Sequence, residues 1–192
     1  SQELAVLGMG LGAVKVDVVF ADLGLSSMQI DKPERGFNLN VDMPLDLRMD
    51  TSKGLPAYAL LADLSVEKLQ KILIDFCDEP FAYRMAKSIL EVQKGPKTGV
   101  LTTFGLKRVV GQTVAQIRNY PQDPQRATRR ILQALRIWVN EELDSLKDLL
   151  DQLPNVLNRG ARVGFLTFHS GEDRLVKKFF QQSGLWSQVG GP

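Results

Sequence analysis

Asp22, Ser26, Ser27 and Gln29 fall in one short stretch, Asp22-Leu23-Gly24-Leu25-Ser26-Ser27-Met28-Gln29, launched directly from the apolar run Val16-Asp17-Val18-Val19-Phe20-Ala21. A strand that ends on a carboxylate and then breaks at glycine sets an acid at the carboxyl edge of a sheet, where open α/β folds bind ligands. The two hydroxyls and the amide add donors and acceptors that serve no apolar packing. A second polar bend, Phe168-His169-Ser170-Gly171-Glu172-Asp173-Arg174, carries the chain's only histidine. Asp22, Ser26 and His169 are the candidate catalytic groups.

Two familiar chemistries fail on spacing. Gly24-Leu25-Ser26-Ser27-Met28 lacks the second glycine of a nucleophile elbow, which argues against a Ser26, His169 and Asp22 hydrolase triad. Gly8-Met9-Gly10-Leu11-Gly12 precedes a strand instead of joining a strand to a helix, so it makes no phosphate cradle. Ser170 with Asp173 has capping-box spacing and predicts the cap of a helix running through Phe180.

The elements that must hold these bends follow from periodicity. Val14 to Ala21 and Arg162 to Phe168 read as buried strands. Between them the pattern is helical over Val66 to Phe76, Phe81 to Gln93, Thr102 to Gln116, and a long segment from Arg126 to Leu153. Breakers mark the boundaries: Pro33 and Gly36, Gly95-Pro96, Pro121 and Pro124, then Pro154 and Gly160 after the long helix. The expected architecture is an α/β domain over 1–40 and 125–192, with a partial sheet, interrupted by an inserted helical domain over 41–124. Two strands without neighbours leave unpaired edges, so dimerisation as a homodimer, strand exchange or insolubility is the expected consequence unless another arrangement covers them.

The 192 residues carry 24 basic and 22 acidic side chains, a net +2, which excludes wholesale coating of nucleic acid but allows a local basic face. One cysteine, Cys77, and one histidine exclude an internal disulfide and a Cys/His zinc site, so no metal is expected. Lys15 and Asp17 interrupt the apolar stretch from Leu4 to Leu25, and no basic residues precede it. A cytoplasmic protein with no membrane partner is the expectation.

Two polar segments are candidate nucleic-acid contacts. Arg35 and Arg48 sit in a long stretch of alternating acids and arginines, and Arg129, Gln133, Arg136 and Asn140 recur at helical spacing opposite Ile131, Leu132, Leu135, Trp138 and Val139. Arg118, Arg126 and Arg130 add to the second. A solvated linker and the wet face of an amphipathic helix are the other readings of these segments.

Taken in order, Asp22-Leu-Gly-Leu-Ser-Ser-Met-Gln, Glu34-Arg-Gly-Phe, Pro44-Leu-Asp-Leu-Arg-Met-Asp50, Ala127-Thr-Arg with Gln133-Ala-Leu-Arg-Ile-Trp-Val-Asn-Glu-Glu-Leu143, and Phe168-His-Ser-Gly-Glu-Asp-Arg-Leu-Val-Lys-Lys-Phe-Phe180 resemble the RsmH (MraW) family. The resemblance implies a class I (Rossmann-like) methyltransferase fold with a helical insertion, using S-adenosylmethionine to methylate N4 of a cytidine in small-subunit ribosomal RNA. It implies cofactor contacts at Asp22, Gln29 and Ser27, with Ser26 at the junction of cofactor and substrate. Arg35, Arg48, Arg129, Arg136 and Asn140 are then the expected RNA contacts, and ribosomal RNA or the ribosomal subunit the partner. The family's glycine-rich cofactor loop and C-terminal motif have no counterpart in this chain, Gly171 stands where leucine is usual, and Leu25 where valine is frequent. A non-catalytic RNA-binding module descended from such an enzyme is the alternative.

Overall fold

The computed structural model describes residues 15–25, 32–95, 100–182 and 184. They divide into two compact units, one holding residues up to Gly24 together with those from Glu141 onward, the other running from Leu25 to Asn140. The division therefore falls at 24/25 and 140/141 instead of the predicted 40/41 and 124/125, because the loop after residue 32 and the helix from Pro124 pack with the helical core.

In the first unit β1 (Val16–Asp22) lies parallel to a later strand, Leu157–Leu166, with Asp22 paired to Leu166. Alternation explains the faces: Val19, Val163 and Phe165 turn toward the apolar cluster of Leu146, Leu150, Leu153, Leu157 and Val176. The opposite face is open, with Val18 65% and Phe20 69% exposed. The sequence predicts strands buried on both sides; burial on one side is what the described residues give.

The second unit contains α1 (Ala57–Ala62), α2 (Val66–Cys77), α3 (Ala82–Gln93), α4 (Thr103–Ala115) and α5 (Pro124–Val139). Their boundaries follow cap chemistry. Ser65, Thr102 and Asp123 accept the amides of Lys68, Gly105 and Arg126, and Pro124 occupies the first turn of α5 where its missing N–H costs nothing. The apolar stripes Leu69/Leu73, Met85/Ile89, Leu106/Val110 and Ile131/Leu135 meet in one core.

The predicted helix from Arg126 to Leu153 is two helices, α5 and then α6 (Glu142–Val156), the latter in the first unit. Asn140 caps α5 and Glu141 adopts a left-handed φ of 49°, a break that uninterrupted apolar periodicity conceals. Pro154 does not stop α6 but sits in its last turn. Next comes β2 (Leu157–Leu166), which starts earlier than predicted. Gly160, expected between helix and strand, lies inside β2 at φ 82°, in an irregularity where Leu157 to Arg162 oppose only Val16 to Val18. The unit closes with α7 (Ser170–Gln182).

Candidate functional site

Parallel pairing puts the carboxyl ends of β1 and β2 on one rim. The Leu23 amide donates to the Leu166 carbonyl at 3.1 Å, extending the ladder past Asp22, whose side chain is exposed. Gly24 turns the chain at φ 95°, and a Cβ placed there would stand 3.4 Å from the Phe168 ring. The loops after the two strands therefore lie side by side on this rim. Ser26, Ser27 and Gln29 lie outside the described residues.

His169 is not open to a ligand: its side chain is 7% exposed. It occupies the position expected of Ser170 as helix cap, since its carbonyl accepts the Asp173 amide at 3.1 Å and its Nδ1 the Glu172 amide at 3.4 Å. Ser170 falls inside α7 instead. The Ser170 hydroxyl has capping-box spacing, but the imidazole one residue earlier accepts the Glu172 amide and takes the cap.

Glu172, which the sequence reading did not select, organises this bend. Its side chain is 4% exposed; Oε2 accepts the Phe168 amide at 2.8 Å and Oε1 lies 3.2 Å from His169 Nε2. That last approach is a close polar contact between the imidazole and the carboxylate. Glu142, His169 and Glu172 bring ligand-type atoms within 4.8 Å of one another. His169 Nδ1 already accepts the Glu172 amide and Glu172 Oε2 the Phe168 amide, so two of the three groups are engaged in holding the start of α7.

Burial would raise the Glu172 carboxyl, but His169 and the Phe168 amide outweigh it and hold the group below the ordinary glutamate range. A depressed folded pKa gives stability that is fully present above the unfolded value, near 4.5, and lost as pH falls through the lower folded value. Glu172→Gln is expected to flatten the acid limb of a pH–stability curve measured by urea unfolding. An unchanged acid limb would place the acid sensitivity elsewhere.

The expected RNA contacts in the helical unit separate into two kinds. Arg48 grips Asp46 through Nε (2.6 Å) and Nη2 (2.8 Å) and donates from Nη1 to the carbonyls of Thr51 and Gly54. Burial pushes the Asp46 carboxyl up, yet the Arg48 guanidinium outweighs it and holds the group below its usual range. Arg35 donates to the Arg48 carbonyl at 3.2 Å, and Asn140 bonds Leu47, Met49 and Arg136 backbone atoms. Arg35, Arg48 and Asn140 thus hold the loop in shape. Arg129 is exposed, as are Arg118 and Arg126, while Arg136 is half-buried and Arg130 is paired with buried Glu79.

A wide depression of about 620 Å³ opens in the helical unit beside Asp42, Leu101, Phe104, Lys107 and Arg108. None of the residues selected from the sequence lines it. Lys107 Nζ lies 5.4 Å from the Phe104 ring centre, and the depression's openness suits a surface contact more than an enclosed ligand. Cys77 is buried, and its thiol is pushed up to about 12, which removes it as a nucleophile. No helix among the described residues is long and apolar enough to cross a membrane.

An exposed acid at the carboxyl rim of parallel strands, with a separate helical unit between those strands in sequence, defines a mixed α/β protein with a ligand-type sheet edge. Residues 2–190 match the MraW methylase family, and the chain belongs to it. It is 42% identical over 181 residues to ribosomal RNA small subunit methyltransferase H 2 of Acholeplasma laidlawii, covering 92% of this chain and 52% of that protein. Against ribosomal RNA small subunit methyltransferase H 1 of Lachnoclostridium phytofermentans the identity is 44%, covering 90% and 48% respectively. Against ribosomal RNA small subunit methyltransferase H of Caldicellulosiruptor bescii it is 41%, covering 89% and 54%. The chain spans about half the length of these relatives.

Proposed function

We propose that this chain carries the catalytic rim of an S-adenosylmethionine-dependent methyltransferase of class I fold that acts on N4 of a cytidine in small-subunit ribosomal RNA. The observation that carries this reading is the exposed Asp22 carboxylate on the rim where the β1 and β2 loops meet, in a chain of the MraW methylase family. The rim suits the cofactor: an unburied acceptor stands beside a glycine bend that brings backbone close. When bound, S-adenosylmethionine supplies a methyl group on a sulfonium.

The chain's residues then have to align an amine with that methyl and accept its proton. The exocyclic amine of cytosine is a poor nucleophile, because its lone pair is delocalised into the ring. Asp22, or the Ser26 hydroxyl that follows it in the chain, pulls on an N–H and stabilises the charge that develops as the N–C bond forms. Gln29 and Ser27 belong to the cofactor side. His169, buried and committed to the start of α7, is a positioning residue for the rim.

Reaching such a site requires the target base to leave its stack. In the helical unit, exposed Arg129, Arg126 and Arg118 suit phosphate contacts, whereas Arg35, Arg48 and Asn140 shape the loop of that unit. The open row Val18, Phe20 and Leu166 supports a homodimer, and a cytoplasmic ribosomal subunit as partner completes the reading.

Calorimetric titration of this chain with S-adenosylmethionine tests it. Micromolar binding that weakens at least roughly tenfold in Asp22→Ala is expected, a loss of about 1.4 kcal/mol from a charged hydrogen bond. RNA binding with no cofactor binding would overturn the enzymatic reading in favour of a non-catalytic RNA-binding module.

A further inference from the structure

We infer that Phe168 is the stacking face for the target pyrimidine, held in place by Glu172. The inference rests on the proposed function and adds the residue that receives the base. Phe168 lies in the loop two residues past the end of β2, is 62% exposed, and its ring stands 3.4 Å from where a Cβ on Gly24 would lie, at the bend that follows exposed Asp22.

Exposed Phe168 presents a flat apolar ring face at a rim that also carries an exposed carboxylate, Asp22. It is also not loose. Its amide is bonded at 2.8 Å by the buried Glu172 carboxylate, and that carboxylate is fixed by position in the first turn of α7 and by His169. A pinned backbone with an exposed ring is how a platform for a flat ligand is built.

The chemistry of the base selects the occupant. An extruded cytosine offers two faces for stacking and an amine edge for an acceptor, and the rim supplies one of each, Phe168 and Asp22. The bare Gly24 backbone matters here, because its φ of 95° disfavours any side chain, while a Cβ there would stand at ordinary contact distance, 3.4 Å, from the ring. Glu172 is a positioning residue: it touches no ligand and acts through the Phe168 backbone.

A single-stranded oligoribonucleotide carrying the fluorescent base pyrrolocytosine tests the assignment without requiring turnover. Binding to the chain is expected to quench the probe. Phe168→Ala should abolish the quenching and weaken affinity roughly tenfold to hundredfold, the usual worth of one stacked base. Phe168→Tyr should restore both, whereas Phe168→Leu should keep the fold and remain defective. Glu172→Gln retains an acceptor for the Phe168 amide and should quench more than Glu172→Ala does.

Titration of the same variants with S-adenosylmethionine separates the two claims. Cofactor affinity unchanged by Phe168→Ala supports the base platform, and a parallel loss of cofactor affinity would overturn it by giving the ring to the cofactor. No quenching by the unaltered chain, or equal quenching by Phe168→Ala and Phe168→Tyr, would also overturn it. If the unaltered chain quenches but binds no cofactor, the enzymatic reading fails while the base platform stands.

Discussion

Glu79→Ala is expected to lower the stability of the helical unit by about 3–5 kcal/mol, the usual cost of removing one partner from a buried ion pair. The Glu79 side chain is fully buried between the end of α2 and the start of α3. Its Oε1 accepts the Phe81 amide at 3.0 Å, and its Oε2 accepts the Tyr120 hydroxyl at 2.6 Å and the Arg130 guanidinium at 2.5 Å. Deleting the carboxylate strands all three donors at once. Arg130 suffers most, since only 23% of its side chain reaches water.

Controls separate the parts. Burial, reinforced by Glu79, raises the Tyr120 hydroxyl, which therefore remains a donor at any physiological pH. Tyr120→Phe removes one hydrogen bond and should cost about 1 kcal/mol. Glu79→Gln keeps two acceptor lone pairs but not the charge and should fall between them. Urea unfolding followed by circular dichroism reads each value. A loss below about 1 kcal/mol for Glu79→Ala would mean that water reaches Arg130 and Tyr120 readily enough to replace the carboxylate.

Much of this network hides from sequence reading for a physical reason. Helical periodicity located α2, α3 and α4 to within a residue or so, because each must bury one stripe against the same core. The two strands and the rim they share were legible from apolar runs ending in polar bends. Partnership among charged side chains was not: Arg48 and Arg130 look like phosphate ligands by type, and only the fold brings Asp46 and Glu79 to them. Glu172 carries no sequence signal for the same reason, since its task depends on where Phe168 and His169 turn. The six-residue helix α1 is too short to carry a periodic signal.

The loop from Pro33 to Pro56 marks the border between these cases. Its alternating acids and arginines suggested an ordered segment, and it is ordered, but around buried Leu45 and Leu47. Gly36 allows this packing, at φ 74° and with the Pro44 carbonyl only 2.6 Å from where a Cβ would lie. Functional type and structural duty coincide in this stretch, and hydrogen-bond inventory is what tells them apart.

Asn140→Ala provides the sharpest test of that distinction. The side chain donates to the Leu47 carbonyl at 2.7 Å and the Arg136 carbonyl at 2.8 Å, and accepts the Met49 amide at 2.6 Å. It thereby ties the loop to the last turn of α5. Three bonds lost from a half-buried site, with one amide left unsatisfied, predict a loss of about 2–3 kcal/mol. Asn140→Asp retains the acceptor for Met49 but turns a carboxylate toward two carbonyl oxygens, so it should be no more stable than the alanine variant. Combining Asn140→Ala with Arg48→Met should cost less than the sum of the single changes, because both release the same loop. If Asn140→Ala instead left unfolding unchanged and weakened RNA binding, the residue would be a direct nucleic-acid contact, and its bonds to the loop would carry no net stability.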